Sequence, residues 1–166
     1  GAASIQDRRR QHFHTIKAAP VIEPVRVVVT VECAPEHAFR LWTERMEVWW
    51  PRSHTMLRDP EAAIVVEPRV HGRIFERARD GREVDWGSIL AWDPPQSIRY
   101  RWFIGGTAAM ATDVSVTFTA LAENSTRVDL EQSGWERLGD IAQERRDRNE
   151  SGWASVLPAY VKACGR

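Results

Sequence analysis

Cysteine is scarce in this sequence, and long uncharged stretches are missing from it. The 166 residues include two cysteines, Cys33 and Cys164, which are too few and too far apart for a metal-binding knuckle or a disulfide framework. The longest stretches without a charged side chain, residues 102–112 and 151–161, are eleven residues each, whereas a transmembrane helix needs about 20. We therefore expect no membrane span and no metal site. Two unpaired thiols are typical of a cytoplasmic protein.

Excess charge of either sign is also missing. The chain has 23 basic and 23 acidic side chains, whereas a nucleic-acid-binding protein normally presents a basic surface. Gly105-Gly106 does not stand between a strand and a helix, so this pair does not form a phosphate-binding loop. These absences lead us to expect neither a nucleic-acid partner nor a cofactor.

Length and composition indicate one globular domain. Apolar residues make up 43% of the chain and charged residues 28%, which is ordinary usage for a folded domain of this length. Residues 1–22, which include the basic run Arg8-Arg9-Arg10, are expected to be a flexible N-terminal arm. Residues 23–166 are expected to form the single domain.

Tryptophan, in contrast, is abundant, with eight residues against five phenylalanines and two tyrosines. Such a set is compatible with two roles. Small-molecule pockets are mostly apolar and aromatic, so the indole rings could line a hollow that takes a flat or greasy ligand. They could equally fill the core, with their N–H groups donating to backbone carbonyls.

Alternation of apolar and polar residues predicts a mainly antiparallel sheet. A first strand over residues 25–31 is followed by two short helical segments that begin near Pro35, a residue suited to the first turn of a helix. The later strands are separated by turn signals such as Asp80-Gly81. They are predicted near residues 62–66, 72–77, 84–92, 98–102 and 114–119, and around Val128 and Leu130.

The end of the chain instead repeats with a helical period. Apolar side chains from Trp153 to Cys164 recur at intervals of three and four residues, which predicts an amphipathic helix with one wide apolar stripe. Gly152 and Pro158 are expected to bend or interrupt this helix. Residues 143–150 are nearly all charged and are expected to face solvent. Together these elements predict an α+β helix-grip fold (START/Bet v-like), a curved antiparallel sheet of about six or seven strands wrapped over a long C-terminal helix.

Several short motifs follow one another in a characteristic order over roughly residues 25–162. They are Ala34-Pro35-Glu36 with Phe39 and Trp42, Trp49-Trp50-Pro51, Phe75-Glu76-Arg77, Asp80-Gly81, Asp85-Trp86-Gly87, Trp92-Asp93-Pro94-Pro95, Trp102, Thr126-Arg127-Val128, Gly134-Trp135-Glu136-Arg137-Leu138-Gly139, and Gly152-Trp153 with Val156-Leu157. In this order and spacing the sequence resembles the START-like (SRPBCC) superfamily, specifically the branch named for activators of the ATPase of heat-shock protein 90.

The resemblance implies a fold more firmly than a function. Members of the superfamily bind lipids, polyketides, hormones and other apolar molecules, and a minority catalyse cyclisations or dehydrations. One position departs from the pattern, since Gln132 stands where many relatives carry a histidine. If that histidine transfers protons in the relatives, this chain lacks the group.

The predicted site is a hollow between the sheet and the C-terminal helix. We expect it to be lined by Phe39, Trp42, Trp50, His54, Ile74, Glu76, Trp86, Tyr100, Trp102, Val116, Phe118, Trp153 and Leu157. The sequence shows neither a zinc-binding spacing nor a recognisable nucleophile with its base. We therefore assign no catalytic residue.

Two polar members of this set have open interpretations. Glu76 shares strand parity with Ile74, so its carboxylate could stand inside the hollow and orient a ligand or transfer protons. It could instead lie at a strand end or pair with an arginine at the rim. His54 follows the Trp49-Trp50-Pro51 break, at the expected mouth of the hollow, and could also be an ordinary loop histidine.

Three functions are compatible with these patterns. The first is an intracellular protein that binds an apolar small molecule, lipid-like or aromatic, between sheet and helix. The second is a co-chaperone-like module with a protein partner, which would need an exposed apolar patch. The third is an enzyme of the polyketide cyclase or dehydratase type, which would need at least two converging ionisable groups, and Glu76 and His54 are the pair we nominate. Of these, we favour binding without catalysis.

Overall fold

The computed structural model describes residues 21–166. Seven strands, three α-helices and three short 3-10 helices follow one another in that part of the chain. In chain order they are β1 (Val25–Val31), α1 (Pro35–Trp42), α2 (Met46–Trp49), a 3-10 helix (Arg52–His54), β2 (Ala63–Val66), β3 (Arg73–Arg77), β4 (Glu83–Asp93), β5 (Ser97–Trp102), a 3-10 helix (Ala108–Met110), β6 (Thr112–Ala122), β7 (Ser125–Ser133), a 3-10 helix (Trp135–Ile141) and α3 (Ala142–Cys164).

The seven strands form one antiparallel sheet in the order β1-β7-β6-β5-β4-β3-β2. Strands β2 to β7 are a meander in which each strand pairs with the next, and β1 closes the far edge by pairing with β7 over its whole length. The sheet curls into a half-barrel around α3, and the predicted helix-grip fold is confirmed. The predicted arm lies outside the described residues, apart from residues 21–22, and stays a prediction.

Local sequence signals explain the edge strand β1 and the turn between β3 and β4. In β1 the valines at alternate positions face inward, and Val25 and Val31 are fully buried. The turn between β3 and β4 has Gly81 at φ 93°, a left-handed conformation that glycine adopts without a steric cost. Both features agree with the predictions from the sequence, namely the strand inferred from alternating valines and the turn at Asp80-Gly81.

Helix α1 begins as its proline predicts. Pro35 occupies the first turn, where a missing backbone N–H costs nothing. Phe39 and Trp42, three residues apart, both point into the core. The helix ends at Trp42, and the short α2 and its following turn carry the chain across the open side of the sheet to β2.

Helix α3 is longer and more regular than the sequence indicated. It runs from Ala142 to Cys164 without interruption, so the predicted interruption at Gly152 or Pro158 is wrong, whereas a bend there stays a prediction. Pro158 removes one helical hydrogen bond, but its ring lies on the exposed face. Burial of Trp153 and Tyr160 on the opposite face stabilises the helix by more than that bond contributes.

Both cysteines are free and buried, at the end of β1 and the end of α3. Burial raises the pKa of the Cys164 thiol to about 12 and raises that of Cys33 as well. Neither thiol is therefore a nucleophile at neutral pH. No helix within residues 21–166 is long and apolar enough to cross a membrane.

Candidate functional site

An open groove lies between the first half of α3, the turn after α2 and the loop after β5. Its volume is about 320 Å³, at the lower end of the range for small-molecule sites. The lining side chains are mainly apolar or aromatic, with a basic group at one side. They belong to Trp50, Ser53, His54, Met56, Trp102, Ile104, Gly105, Arg145, Arg148, Asn149, Gly152, Trp153 and Val156.

Three tryptophans form the inner wall of this groove. Trp102 and Trp153 stack with ring centroids 6.0 Å apart, and Trp50 meets both rings edge-on at 5.8 and 6.2 Å. Each side chain is mostly packed, at 3–5% exposure, so a small part of each ring faces the groove. Ring-to-ring contacts of this kind fix the rings in position. The wall is therefore formed before any ligand arrives.

The space behind this wall is filled by further aromatic rings. Trp153 stacks on Trp42 at 6.0 Å, and Trp42 in turn meets Tyr160 at 5.0 Å and Phe118 at 6.5 Å. All of these side chains belong to one continuous buried core. The inner part of the predicted hollow is thus occupied by the protein itself.

The structure consequently divides the residues that the sequence predicted for the site. Trp50, His54, Trp102 and Trp153 line the groove. The remaining apolar and aromatic members pack in the buried core: Phe39, Trp42, Ile74, Trp86, Tyr100, Val116, Phe118 and Leu157. Contact of any of them with a ligand stays a prediction.

Three polar atoms inside that core have no hydrogen-bond partner among the described residues. They are Nε1 of Trp42, Nε1 of Trp86 and the hydroxyl of Tyr100. Complete burial raises the pKa of Tyr100 well above its ordinary value, and the interaction with the Trp42 side chain offsets only part of this rise, so the phenol stays protonated. A buried polar group without a hydrogen bond lowers the stability of the folded protein. Replacing Tyr100 by phenylalanine measures this cost.

Glu76 is fully buried, and its partners are backbone amides. Its two carboxylate oxygens accept hydrogen bonds from the N–H of Met56 at 2.7 Å and of Leu57 at 3.0 Å. Glu76 lies on the buried side together with Ile74, as strand parity predicted, and no arginine pairs with it among the described residues. A role in orienting a ligand stays a prediction. The carboxylate holds the loop that supplies Met56 to the groove, and it does so from the neighbouring strand β3.

Gln132 holds the wall from the opposite side. Its Oε1 accepts a hydrogen bond from Nε1 of Trp153 at 2.7 Å, and its Nε2 donates to Oγ1 of Thr112 at 2.9 Å and to Oδ1 of Asn149 at 3.3 Å. Three of the four hydrogen bonds that a side-chain amide can make are therefore formed. Gln132 thereby fixes the orientation of the Trp153 ring.

The polar side of the groove comes from the segment that we expected to face solvent. Arg145 and Asn149 are half-buried and line the groove together with Gly152. Their positions fall at +4 and +7 from Arg145, with Val156 at +11, which is the spacing of one helix face. The same periodicity that identified the stripe from Trp153 onward would have found them if it had been extended backward.

His54 lies in the short 3-10 helix after α2 and is half-buried at the groove. Its Nδ1 is 3.0 Å from Oγ of Ser53, and its carbonyl accepts a hydrogen bond from Nε1 of Trp50. Within residues 21–166, no group of three histidine, cysteine or acidic side chains is placed to hold a metal ion. The groove therefore offers apolar contact, one imidazole and guanidinium groups.

A curved sheet gripping a C-terminal helix, with a groove at one end of the space between them, defines a protein of the SRPBCC type. The family model for activator of Hsp90 ATPase homolog 1-like proteins matches residues 32–163. The chain belongs to this family. Among curated protein sequences, none matches it significantly.

Two of the similar solved structures have a sequence identity to this chain of 25% or more. The chain is 35% identical to the anthrahydroquino-γ-pyrone synthase Txn09, with 74% of this chain and 84% of that chain covered and a TM-score of 0.55. It is 25% identical to CalC, a self-sacrificing resistance protein from Micromonospora echinospora, with 85% and 93% covered and a TM-score of 0.64.

The Aha1 dimer from Colwellia psychrerythraea is a more distant match. Its identity to this chain is 16%, with 86% of this chain and 96% of that chain covered and a TM-score of 0.60. This similarity shows the shared fold alone.

Proposed function

We propose that this protein binds an apolar, aromatic small molecule in the groove beside α3. The observation that carries the proposal is the preformed wall of Trp50, Trp102 and Trp153, with Met56 and Val156 completing an apolar surface. A flat ring system matches such a wall because stacking and edge contacts add to the burial of apolar area. An intracellular location belongs to the proposal and rests on the two free thiols.

The size of the groove supports a ligand of a few fused or linked rings. A volume of about 320 Å³ is small for a lipid with long acyl chains. Behind the wall, Trp42, Phe118 and Tyr160 occupy the space that a long acyl chain would need. Txn09, at 35% identity, is an anthrahydroquino-γ-pyrone synthase, and this similarity supports an aromatic ligand over a lipid-like one here.

Gly152 allows a direct test by steric blocking. A Cβ added at this position would meet no atom within 4 Å, so a larger side chain would extend into the groove without displacing the core. We expect Gly152→Phe to reduce binding of the neutral aromatic probe N-phenyl-1-naphthylamine at least about tenfold, since the ring would occupy the ligand's place. Energy transfer from tryptophan to the probe measures this affinity.

Gly152→Ala is the matched control. It adds one methyl group at the same place and should bind the probe about as the parent protein does. Because glycine is a poor helix residue, the alanine variant should also be more stable by about 1 kcal/mol. Equal probe binding by the parent and by Gly152→Phe would show that the groove is not the binding site. Native mass spectrometry of the purified protein, before and after denaturation, would then identify any natural ligand by its mass.

An enzyme of the cyclase type is the second candidate, and it rests on the 35% identity to a synthase together with His54 at the groove. Glu76, the other group that we nominated, is engaged by two backbone amides. Of the two, only His54 lines the groove. Loss of turnover with unchanged ligand affinity in His54→Gln would favour the enzyme over the simple binding protein.

A further inference from the structure

Arg145 is the one arginine of the first half of α3 that has no ion pair among the described residues. The helix carries three arginines within four positions. Arg146 binds Asp147 and Glu150 and donates to two backbone carbonyls near β1, and Arg148 binds Glu144 at 2.7 Å. No carboxylate of residues 21–166 lies within 4.0 Å of the Arg145 guanidinium.

The position of Arg145 makes this guanidinium part of the site. It lines the groove, and it also lines a smaller cavity of about 40 Å³ that shares Trp102, Ile104 and Asn149 with the groove. The side chain is half-buried, between these two spaces. A cation that is partly removed from water and unpaired costs free energy, so a negative partner at this place would be strongly favoured.

The helix itself adds to this cost. Arg145 is the fourth residue of α3, and the positive end of a helix dipole disfavours cations and favours anions. Stability alone would place an acidic side chain there, as Glu144 illustrates one residue earlier. An unpaired arginine at this position therefore gains nothing from the helix dipole, whereas an anion bound beside it would be favoured by both the dipole and the guanidinium.

The rest of the groove contains no competing negative charge. Its ionisable lining residues are His54, Arg145 and Arg148, and none of the side chains that line it is acidic. Because Arg148 is already paired with Glu144, the unpaired Arg145 gives the groove its positive side, and the tryptophan wall gives it an apolar side. A ligand complementary to both is an aromatic ring system with an acidic substituent.

We propose that the ligand of this groove is an aromatic anion whose carboxylate, sulfonate or ionised phenol pairs with Arg145 while its rings contact the tryptophan wall. This inference rests on the proposed binding function and adds the charge of the ligand to it. Arginine suits the role because its planar guanidinium presents two parallel donors to an acidic group.

A pair of probes that differ in one charged group tests the inference. They are 1-anilinonaphthalene-8-sulfonate and N-phenyl-1-naphthylamine, which share the same rings, and only the first carries a sulfonate. We expect Arg145→Gln to weaken binding of the sulfonate probe between about tenfold and a hundredfold, the range for a hydrogen-bonded charged pair. Its affinity for the neutral probe should change less than about twofold.

Arg148→Gln is the control for general surface charge. Arg148 also lines the groove but is exposed and already paired with Glu144, so its loss should weaken the sulfonate probe by less than about threefold. Gly152→Phe should weaken binding of both probes at least about tenfold, which would place them in the groove. Circular dichroism melting curves would show that each variant is folded.

The outcomes separate the two proposals. If the parent protein binds neither probe, the binding function itself fails, and this inference fails with it. If both probes bind in the groove but Arg145→Gln leaves their affinity ratio unchanged, the function stands and the anionic ligand is wrong. A selective loss of the sulfonate probe, reproduced in the parent protein by raising the salt concentration, supports the inference.

Discussion

The two ends of the space between the sheet and α3 are built from the same kind of residue and differ in what remains open. At the inner end, Trp42, Phe118 and Tyr160 pack into a continuous core. At the outer end, Trp50 and Trp102 stand at a groove of about 320 Å³. Tryptophan content alone therefore does not distinguish a filled core from a ligand site.

The difference comes from the helix that the tryptophans face. The second half of α3 buries Leu157 and Tyr160 in the core, where the Tyr160 ring contacts Trp42 of α1, and these large side chains close the space. The first half presents Asn149 and Gly152 instead, which are polar or small and leave the space open. Trp153 lies between the two halves, where it packs in the core and also lines the groove. Its replacement would therefore reduce both stability and ligand binding, and would not distinguish the two ends.

The largest expected contrast is between Trp42 at the inner end and Met56 at the outer end. Trp42 is completely buried, and Trp42→Ala should lower the free energy of unfolding by about 3–5 kcal/mol, because a large cavity would replace the indole. Met56 is 40% exposed, and Met56→Ala should cost less than about 1 kcal/mol. Urea unfolding of both variants measures the difference.

Binding should show the reverse order for the same pair. Met56→Ala removes apolar surface from the groove and should weaken the neutral naphthylamine probe several-fold. If the stability loss of Met56→Ala equalled that of Trp42→Ala, the outer end would be core, and the distinction between the two ends would be lost.

Glu76 offers a second and smaller test, because it supports the groove from within the protein. In Glu76→Gln one of the two acceptor oxygens becomes an NH2 group. This group cannot accept the hydrogen bond that the facing backbone N–H donates. We expect a loss of about 1–3 kcal/mol in unfolding free energy, the cost of an unsatisfied buried donor. Hydrogen exchange of the Met56 and Leu57 amides should accelerate at the same time.

Glu83→Gln is the control for this variant. Glu83 is a partly exposed carboxylate on the neighbouring strand β4, paired with Arg73 and Arg77. Its replacement should cost less than about 1 kcal/mol, as for other surface ion pairs, and should leave the exchange of the Met56 amide unchanged. Equal effects of the two variants would mean that the carboxylate of Glu76 does not hold the loop.

Most of the fold could be predicted from the sequence because its signals are local. The alternating valines of β1, Pro35 at the start of α1 and the turn at Gly81 each act within a few residues. The first half of α3 was harder, since residues 143–150 are so highly charged that their one inward face was hidden. The helical spacing of Asn149 and Gly152, followed backward from Val156, indicates that face, and the contact of Asn149 with Gln132, 17 positions away in the chain, shows it directly.

The site could be predicted less well than the fold, for a physical reason. Whether a buried aromatic ring lines a groove or fills a core depends on the volume of side chains packed opposite it, which strand parity does not report. Trp86 and Trp102 have the same residue type and adjacent strands, yet only Trp102 lines the groove. The partners of Glu76 were also hidden, because backbone amides 19 and 20 positions away leave no side-chain pattern.

The smallest expected effect is the difference between the two buried tyrosines. It reports whether the polar groups at the inner end form hydrogen bonds. The hydroxyl of Tyr160 donates to the carbonyl of Ala38 at 2.8 Å, whereas that of Tyr100 has no partner among the described residues. Tyr160→Phe should lower the free energy of unfolding by about 0.5–1.5 kcal/mol, the net contribution of one hydrogen bond. Tyr100→Phe should leave the free energy of unfolding unchanged or raise it by up to about 1 kcal/mol, since the substitution removes a buried hydroxyl that forms no hydrogen bond.

The two variants remove the same atom from rings that are both almost completely buried, so the difference between them reports the hydrogen bond and not the packing. Denaturant titration of the parent and both variants measures it. A loss in Tyr100→Phe as large as that in Tyr160→Phe would mean that the Tyr100 hydroxyl has a partner in solution. The inner end would then hold a polar contact, and the division between a closed apolar core and an open groove would have to be redrawn around Tyr100.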